Sequence, residues 1–259
     1  MTGWLELFSG LAGVTPTVIW KVFLVFLRVG AAMALLPAFG EVSLSVRVRL
    51  VATVAFTAIV APAVFADLPG PEPGFLGPAL QEIGVWLALG FGLRLLILAL
   101  QVAGTIAAQS ISLSQLTAGA GPEPVPAVSQ FLVTAALALG AALGLHVRAA
   151  ELLVLSYQAM PAGRMPGAGG MAEWGLAETG RMLALAFSLA APFQVASVLY
   201  NLALGIINRA MPHLMVTMIG APALSLGGLA LLALAAPVML SVWVEAMQAH
   251  LMQPFGALP

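Results

Sequence analysis

Long apolar runs separated by short breaks rich in glycine and proline set the pattern of this chain. The first run goes from Val18 to Leu36 and stops at Pro37, roughly the 20 residues that one crossing of a bilayer takes. A second, Leu50 to Ala66, is followed by DLPGPEPGFLGP, whose four prolines cannot sit in a regular helix. Ala79 to Leu116 is helix-compatible almost throughout; its 38 residues reach about 57 Å at ~1.5 Å per residue, beyond a hydrocarbon core of about 30 Å. It must bend into two helices or project from the membrane. After AGAGPEPVP come a block from Ala127 to Met160, the glycine-rich connector PAGRMPGAGGMAEWGLAETG, and two last runs, Met182 to Ile207 and Leu214 to Trp243, divided by NRAMPH. The pattern predicts an all-α, membrane-associated chain of five or six long hydrophobic helical segments. No repeat at solenoid periods breaks it, and residues 1–259 read as one domain.

Composition narrows the class. With 61% hydrophobic and 7% charged residues and a mean hydropathy of +1.07, the chain is far from the roughly 25% charged composition of soluble domains. A net charge of −1 supplies no basic field for nucleic acid. The absence of cysteine removes disulfides and thiol chemistry. The opening MTGWLELFSGLAGVTPTVIWK lacks a basic start and carries Glu6 ahead of its apolar run, so it does not read as a cleaved signal. Arg47 and Arg49 mark their connector as the cytoplasmic side.

The polar exceptions then carry the interest. Arg28 and Lys21 share a helical face; Lys21 can snorkel, whereas Arg28 is too deep and calls for a protein partner. Glu82, Arg94, Arg148 and Glu151 also interrupt apolar runs, Arg148 and Glu151 at the spacing of a local pair. Gly140 and Gly144 have the small-xxx-small spacing of closely packed helices. Gln101, Thr105, Gln109 and Ser112 line one helical face just ahead of a Gly/Pro-rich break. They act as helix glue or line a water-filled cavity beside irregular backbone, and both readings stand.

Catalytic and cofactor chemistry is not in view. There is no GxxxxGK[ST], HExxH or metal-spaced cluster, and no serine in a GxSxG setting. No cofactor is expected and the chain does not read as an enzyme. A proton or ion path through Arg28, Glu82, Arg94, Arg148 and Glu151 is the competing use of the charges, and with it a small-solute transporter or channel is the alternative function.

Three blocks nevertheless resemble a known family. LRVGAAMALLPAFGEVSLSVRVRLVATVAFTAIVAP places Arg28, Pro37, Phe39, Gly40, Arg47 and Arg49 at family positions, with Ser45 where a proline is usual. VPAVSQFLVTAALALGAALGLHVRAAELLVLSYQAMPAG does so for Pro126, Gln130, Phe131, His146, Ser156, Tyr157 and Pro161. LYNLALGIINRAMPHLMVTMIGAP supplies Asn201, Gly205, Arg209, Pro212, Gly220 and Pro222. Together they resemble the FliR component of the flagellar type III export apparatus and its virulence-secretion counterparts.

The resemblance implies a non-enzymatic export-gate subunit in the bacterial inner membrane at the basal body. It implies a helical, multi-subunit assembly with FliP- and FliQ-like chains, next to FlhB- and FlhA-like components, with unfolded proteins passing through its centre. It also implies a plug loop in that channel, mapping to 111–125. Ile111, Leu113, Gln115 and Leu116 would form the seal, and Gly119 and Gly121 the hinge. The family loop tends to carry bulky aromatics and an Asp-Pro; SLSQLTAGAGPEPVP has neither.

Overall fold

The structure, a computed structural model, describes residues 15–41, 44–70, 76–111, 127–162, 167–211 and 216–254. Its elements are α1 (Pro16–Leu35), α2 (Val46–Val64), a 3-10 turn (Phe65–Asp67), α3 (Leu76–Ile111), α4 (Ala127–Ala142), α5 (Leu145–Ala159), α6 (Ala168–Ala210) and α7 (Val216–Met252). Among the described residues, five helices are long and apolar enough to cross a membrane, six if the pair α4 and α5 counts as one broken span. The chain is therefore an all-α membrane protein, as the alternation of apolar runs and breaks predicts.

Local chemistry explains where the first helices start and stop. Pro16 stands in the first turn of α1, where a missing N–H costs nothing. At the other end Leu36 donates to the carbonyl of Ala32 and Gly40 to that of Leu36. A Cβ on Gly40 would lie 2.5 Å from the Ala34 carbonyl oxygen, which only glycine avoids. The turn is closed by Arg49, whose guanidinium donates to the carbonyls of Phe39 (3.0 Å) and Glu41 (3.2 Å), while the Phe39 ring meets Phe56 edge-on. Ser45 caps α2 by accepting from the Val48 N–H. Pro-x-Phe-Gly and Arg49 thus make one folded turn.

Two expectations are decided here. The 79–116 stretch runs as one helix, α3, as far as Ile111, without dividing in two. Gly144 does not continue a helix-packing seam from Gly140, which is buried within α4. Gly144 adopts a left-handed φ of 79° between α4 and α5, with open space where a Cβ would be. It ends one helix and begins the next, a backbone state that disfavours a side chain.

The packing separates into two compact units. One comprises Met1–Arg94, Ala141–Ala177 and Gln248–Pro259, the other Leu95–Gly140 and Glu178–Met247. In the first, Leu24, Val25, Val29 and Met33 of α1, Trp86, Leu89 and Leu93 of α3, and Leu153 of α5 are fully buried or nearly so. Trp174 donates to the carbonyl of Pro254 (3.2 Å), and Gly92 leaves room for the His250 ring, which would lie 2.6 Å from an added Cβ. In the second unit Ile97, Leu100 and Ala103 of α3, Leu132 and Ala136 of α4, and Phe193 and Trp243 are buried. The indole of Trp243 donates to the Leu96 carbonyl (2.8 Å), giving a buried polar atom its partner.

Candidate functional site

Arg28 is the polar centre of the first unit. It is the thirteenth residue of the 20-residue α1 and is wholly buried, too far from either helix end for its charge to reach water. The fold answers with a partner set drawn from two other helices. Nε donates to the carboxylate of Glu82 on α3, an ion pair across 54 residues of sequence. Nη1 donates to Ser156 Oγ (3.2 Å) and Nη2 to the Met160 carbonyl (3.2 Å). The guanidinium carbon sits 3.7 Å from the centre of the Tyr157 ring, a cation–π contact. Ser156 also donates to the Leu153 carbonyl (2.7 Å), so its hydroxyl is used both ways.

Arginine suits this role for a geometric reason. Its planar fork offers five N–H donors that stay charged, and it stacks on aromatic faces. Charge, hydrogen bonds and ring contact together offset the desolvation of both ions. The arrangement ties α1, α3 and α5 by a directional contact. Glu82 is buried with it, so the pair is electrically closed and offers no open ligand position. The Tyr157 hydroxyl is buried without a hydrogen-bond partner among the described residues.

The remaining charges distribute differently. Arg94 pairs with Glu41 in a half-exposed contact, and Arg148 with Glu151 at 3.0 Å on the surface of α5. Arg47 is exposed. Sequence reasoning named Glu82 but not its pairing with Arg28, and missed Glu41 altogether. It also missed Glu178 and Arg181, 3.0 Å apart at i,i+3 spacing on α6, which that spacing could have revealed.

The polar stripe divides in its uses. Thr105 donates to the carbonyl of Gln101 within α3 (2.8 Å), and Ser129 of α4 donates to that same carbonyl (3.2 Å). Gln109 is exposed. Between the two hydroxyls lies Gly104, where a Cβ would come within 2.5 Å of Ser129 Cα, so the helices touch backbone to backbone. At the end of α3, Ile111 packs over Gly228 of α7, where a Cβ would meet its side chain at 2.4 Å. A cavity of about 320 Å³ beside it is lined by Ser110, Ser197 and Tyr200 among others. Ser112, Leu113, Gln115, Leu116, Gly119, Gly121 and Pro212 lie outside the described residues.

The positions singled out by resemblance fall into two groups. Arg28, Ser156 and Tyr157 are buried, and the hub brings the first two sequence blocks together. Gln130, Phe131, His146, Asn201, Gly205 and Arg209 are exposed; Gly220 and Pro222 lie within α7. On α6, Gln194 and Asn201 stand exposed among outward-facing Val195, Val198, Leu199 and Leu202. Among the described residues no group of three or more His, Asp or Glu is placed to hold a metal ion.

Long apolar helices, a closed internal ion pair and outward-facing apolar side chains define a helical membrane protein. Residues 19–250 match the family described as bacterial export proteins, family 1. The chain is 32% identical over 228 residues to the flagellar biosynthetic protein FliR of Caulobacter vibrioides, covering 86% of this chain and 90% of that one. It is 31% identical to FliR of Escherichia coli K12, covering 82% of each, and 26% identical to FliR of Bacillus subtilis, covering 77% of this chain and 79% of that one. The chain belongs to the FliR family of bacterial export proteins.

Proposed function

We propose that this chain is a non-enzymatic subunit of a flagellar type III export gate in the bacterial cytoplasmic membrane. It forms part of the protein-conducting channel together with FliP- and FliQ-like subunits, beside FlhB- and FlhA-like components. The observation that carries this reading, beyond family membership, is the exposure of Gln194 and Asn201 within the apolar face of α6. Side-chain amides are costly against lipid, so they face protein or water. A subunit that completes its surface in an assembly meets that requirement. The buried hub is its internal fastening, and the segment after Ile111 is its plug.

Deleting the gene is the direct test: export of flagellar proteins stops and returns with a plasmid copy. Gln194→Leu with Asn201→Leu leaves the membrane level of the chain unchanged while reducing the FliP- and FliQ-like chains that co-purify with it. Export that continues after deletion, or co-purification indifferent to both substitutions, removes the proposal.

A further inference from the structure

We propose that the groove between α1 and α2 is a phospholipid site. One acyl chain lies along it, and a phosphatidylethanolamine headgroup docks at the end marked by Phe65, its phosphate on Lys21 and its ammonium on Asp67. The groove holds about 870 Å³, and Val18, Val22 and Phe26 of α1 line it with Val54, Ala58 and Phe65 across from them. That volume is within the roughly 300–1,000 Å³ of ligand pockets. From Val18 to Phe26 it follows α1 for about 12 Å at ~1.5 Å per residue. The lining is apolar apart from Thr57, whose hydroxyl donates to the Thr53 carbonyl (2.7 Å). Its side chains therefore offer nothing to orient a partner helix, whereas an acyl chain needs no such contact.

Charge gathers at one end only. Lys21, the sixth residue of α1, is not part of the lining but is fixed to it. Its ammonium donates to the Phe65 carbonyl (2.8 Å) and lies 4.5 Å from the centre of the Phe65 ring. One acceptor leaves room on a three-donor group. Near a helix end, a lysine side chain reaches the level of lipid headgroups. Asp67 stands two residues beyond Phe65, exposed, at the close of the 3-10 turn. Among the described residues neither Lys21 nor Asp67 has an ion-pair partner. Beyond the other end, Arg49 is taken up by the Phe39 and Glu41 carbonyls. An apolar groove with a single charged end has the outline of an amphiphile. A cation with an anion two residues from its acceptor suits a zwitterion, since a purely anionic headgroup would be drawn to Lys21 and repelled by Asp67. A primary ammonium also donates charge-assisted hydrogen bonds to a carboxylate.

The test is photolabelling of the full-length chain in its native membrane complex, with phosphatidylethanolamine carrying a diazirine on one acyl chain. Adducts on the groove residues of α1 and α2 are expected severalfold above those on Ile59, an exposed side chain of α2 outside the groove. Lys21→Gln lowers groove labelling severalfold. Ala58→Trp, at an exposed position of the lining, fills the groove and brings labelling down to the Ile59 level. Phosphatidylglycerol with the same diazirine labels the groove severalfold less, and Asp67→Asn removes the difference between the two lipids. The proposal is overturned if groove labelling does not exceed that of Ile59, if Lys21→Gln leaves it unchanged, or if both lipids label the unsubstituted chain equally. It is overturned too if a benzophenone side chain placed at Ala58 captures a protein chain in place of lipid.

Discussion

Helix α3 is held twice, by opposite means. In the first unit Glu82 ties it to Arg28 through charge, hydrogen bonds and a ring contact. In the second, Gly104 lets it touch α4 at Ser129 with almost nothing between the backbones. The first contact is specific and brittle, because either ion left alone in an apolar interior is unstable. The second is graded, because its strength follows the volume introduced. Both solve the same problem: an apolar helix among apolar neighbours gains no direction from hydrophobicity.

The largest effect should therefore come from breaking the hub on one side. Arg28→Met strands Glu82 and is expected to cost about 3–5 kcal/mol, read as loss of the protein from membranes and a lower unfolding temperature of the purified complex. Arg28→Met combined with Glu82→Leu recovers most of that loss, since a buried ion pair replaced as a pair is close to neutral. A double variant as unstable as the single one would mean that Ser156, Met160 and Tyr157, rather than the ion pair, carry the hub.

The glycine contact should give a smaller loss with a different rescue. Gly104→Ala pushes a Cβ against Ser129 Cα and is expected to cost about 1–3 kcal/mol by the same unfolding measurement. Ser129→Gly does not relieve it, because the obstruction is backbone. The three atoms nearest a Cβ on Gly228 all belong to the Ile111 side chain, so Ile111→Ala removes the two closest contacts and relieves Gly228→Ala in part, leaving the Ile111 Cβ at 2.9 Å. Gly144→Ala comes next, at about 1–2 kcal/mol for a left-handed residue given a side chain. Last is Arg148→Ala, which removes an exposed i,i+3 pair and shifts stability by about 0.5 kcal/mol or less. A large effect there would put a binding partner on α5.

Much of this was readable from the chain. Apolar runs and Gly/Pro breaks gave the helices, because span length and breaker chemistry are local properties. That Arg28 needed a protein partner followed from its depth alone. Which partner did not, since Glu82 lies 54 residues away and Ser156 lies 128 away, and spacing carries no information at that range. Gly144 was misread for a related reason: glycine serves close packing and left-handed backbone equally, and one sequence cannot say which. Gln101 was read by its side chain, whereas its carbonyl makes the contacts that the structure describes.

The separation of Arg28 from Glu82 also bears on how the protein is made. Helix α1 emerges from the ribosome with an arginine near its middle, which raises the cost of entering the membrane by about 2.5–3.5 kcal/mol. The carboxylate that neutralises it is 54 residues behind, a delay of about 3–11 s at ~5–20 residues per second. The hydroxyl and ring that complete the hub come later still. The first helix is thus secured by the third and fifth, and the amino-terminal half of the protein remains provisional until synthesis has passed Met160.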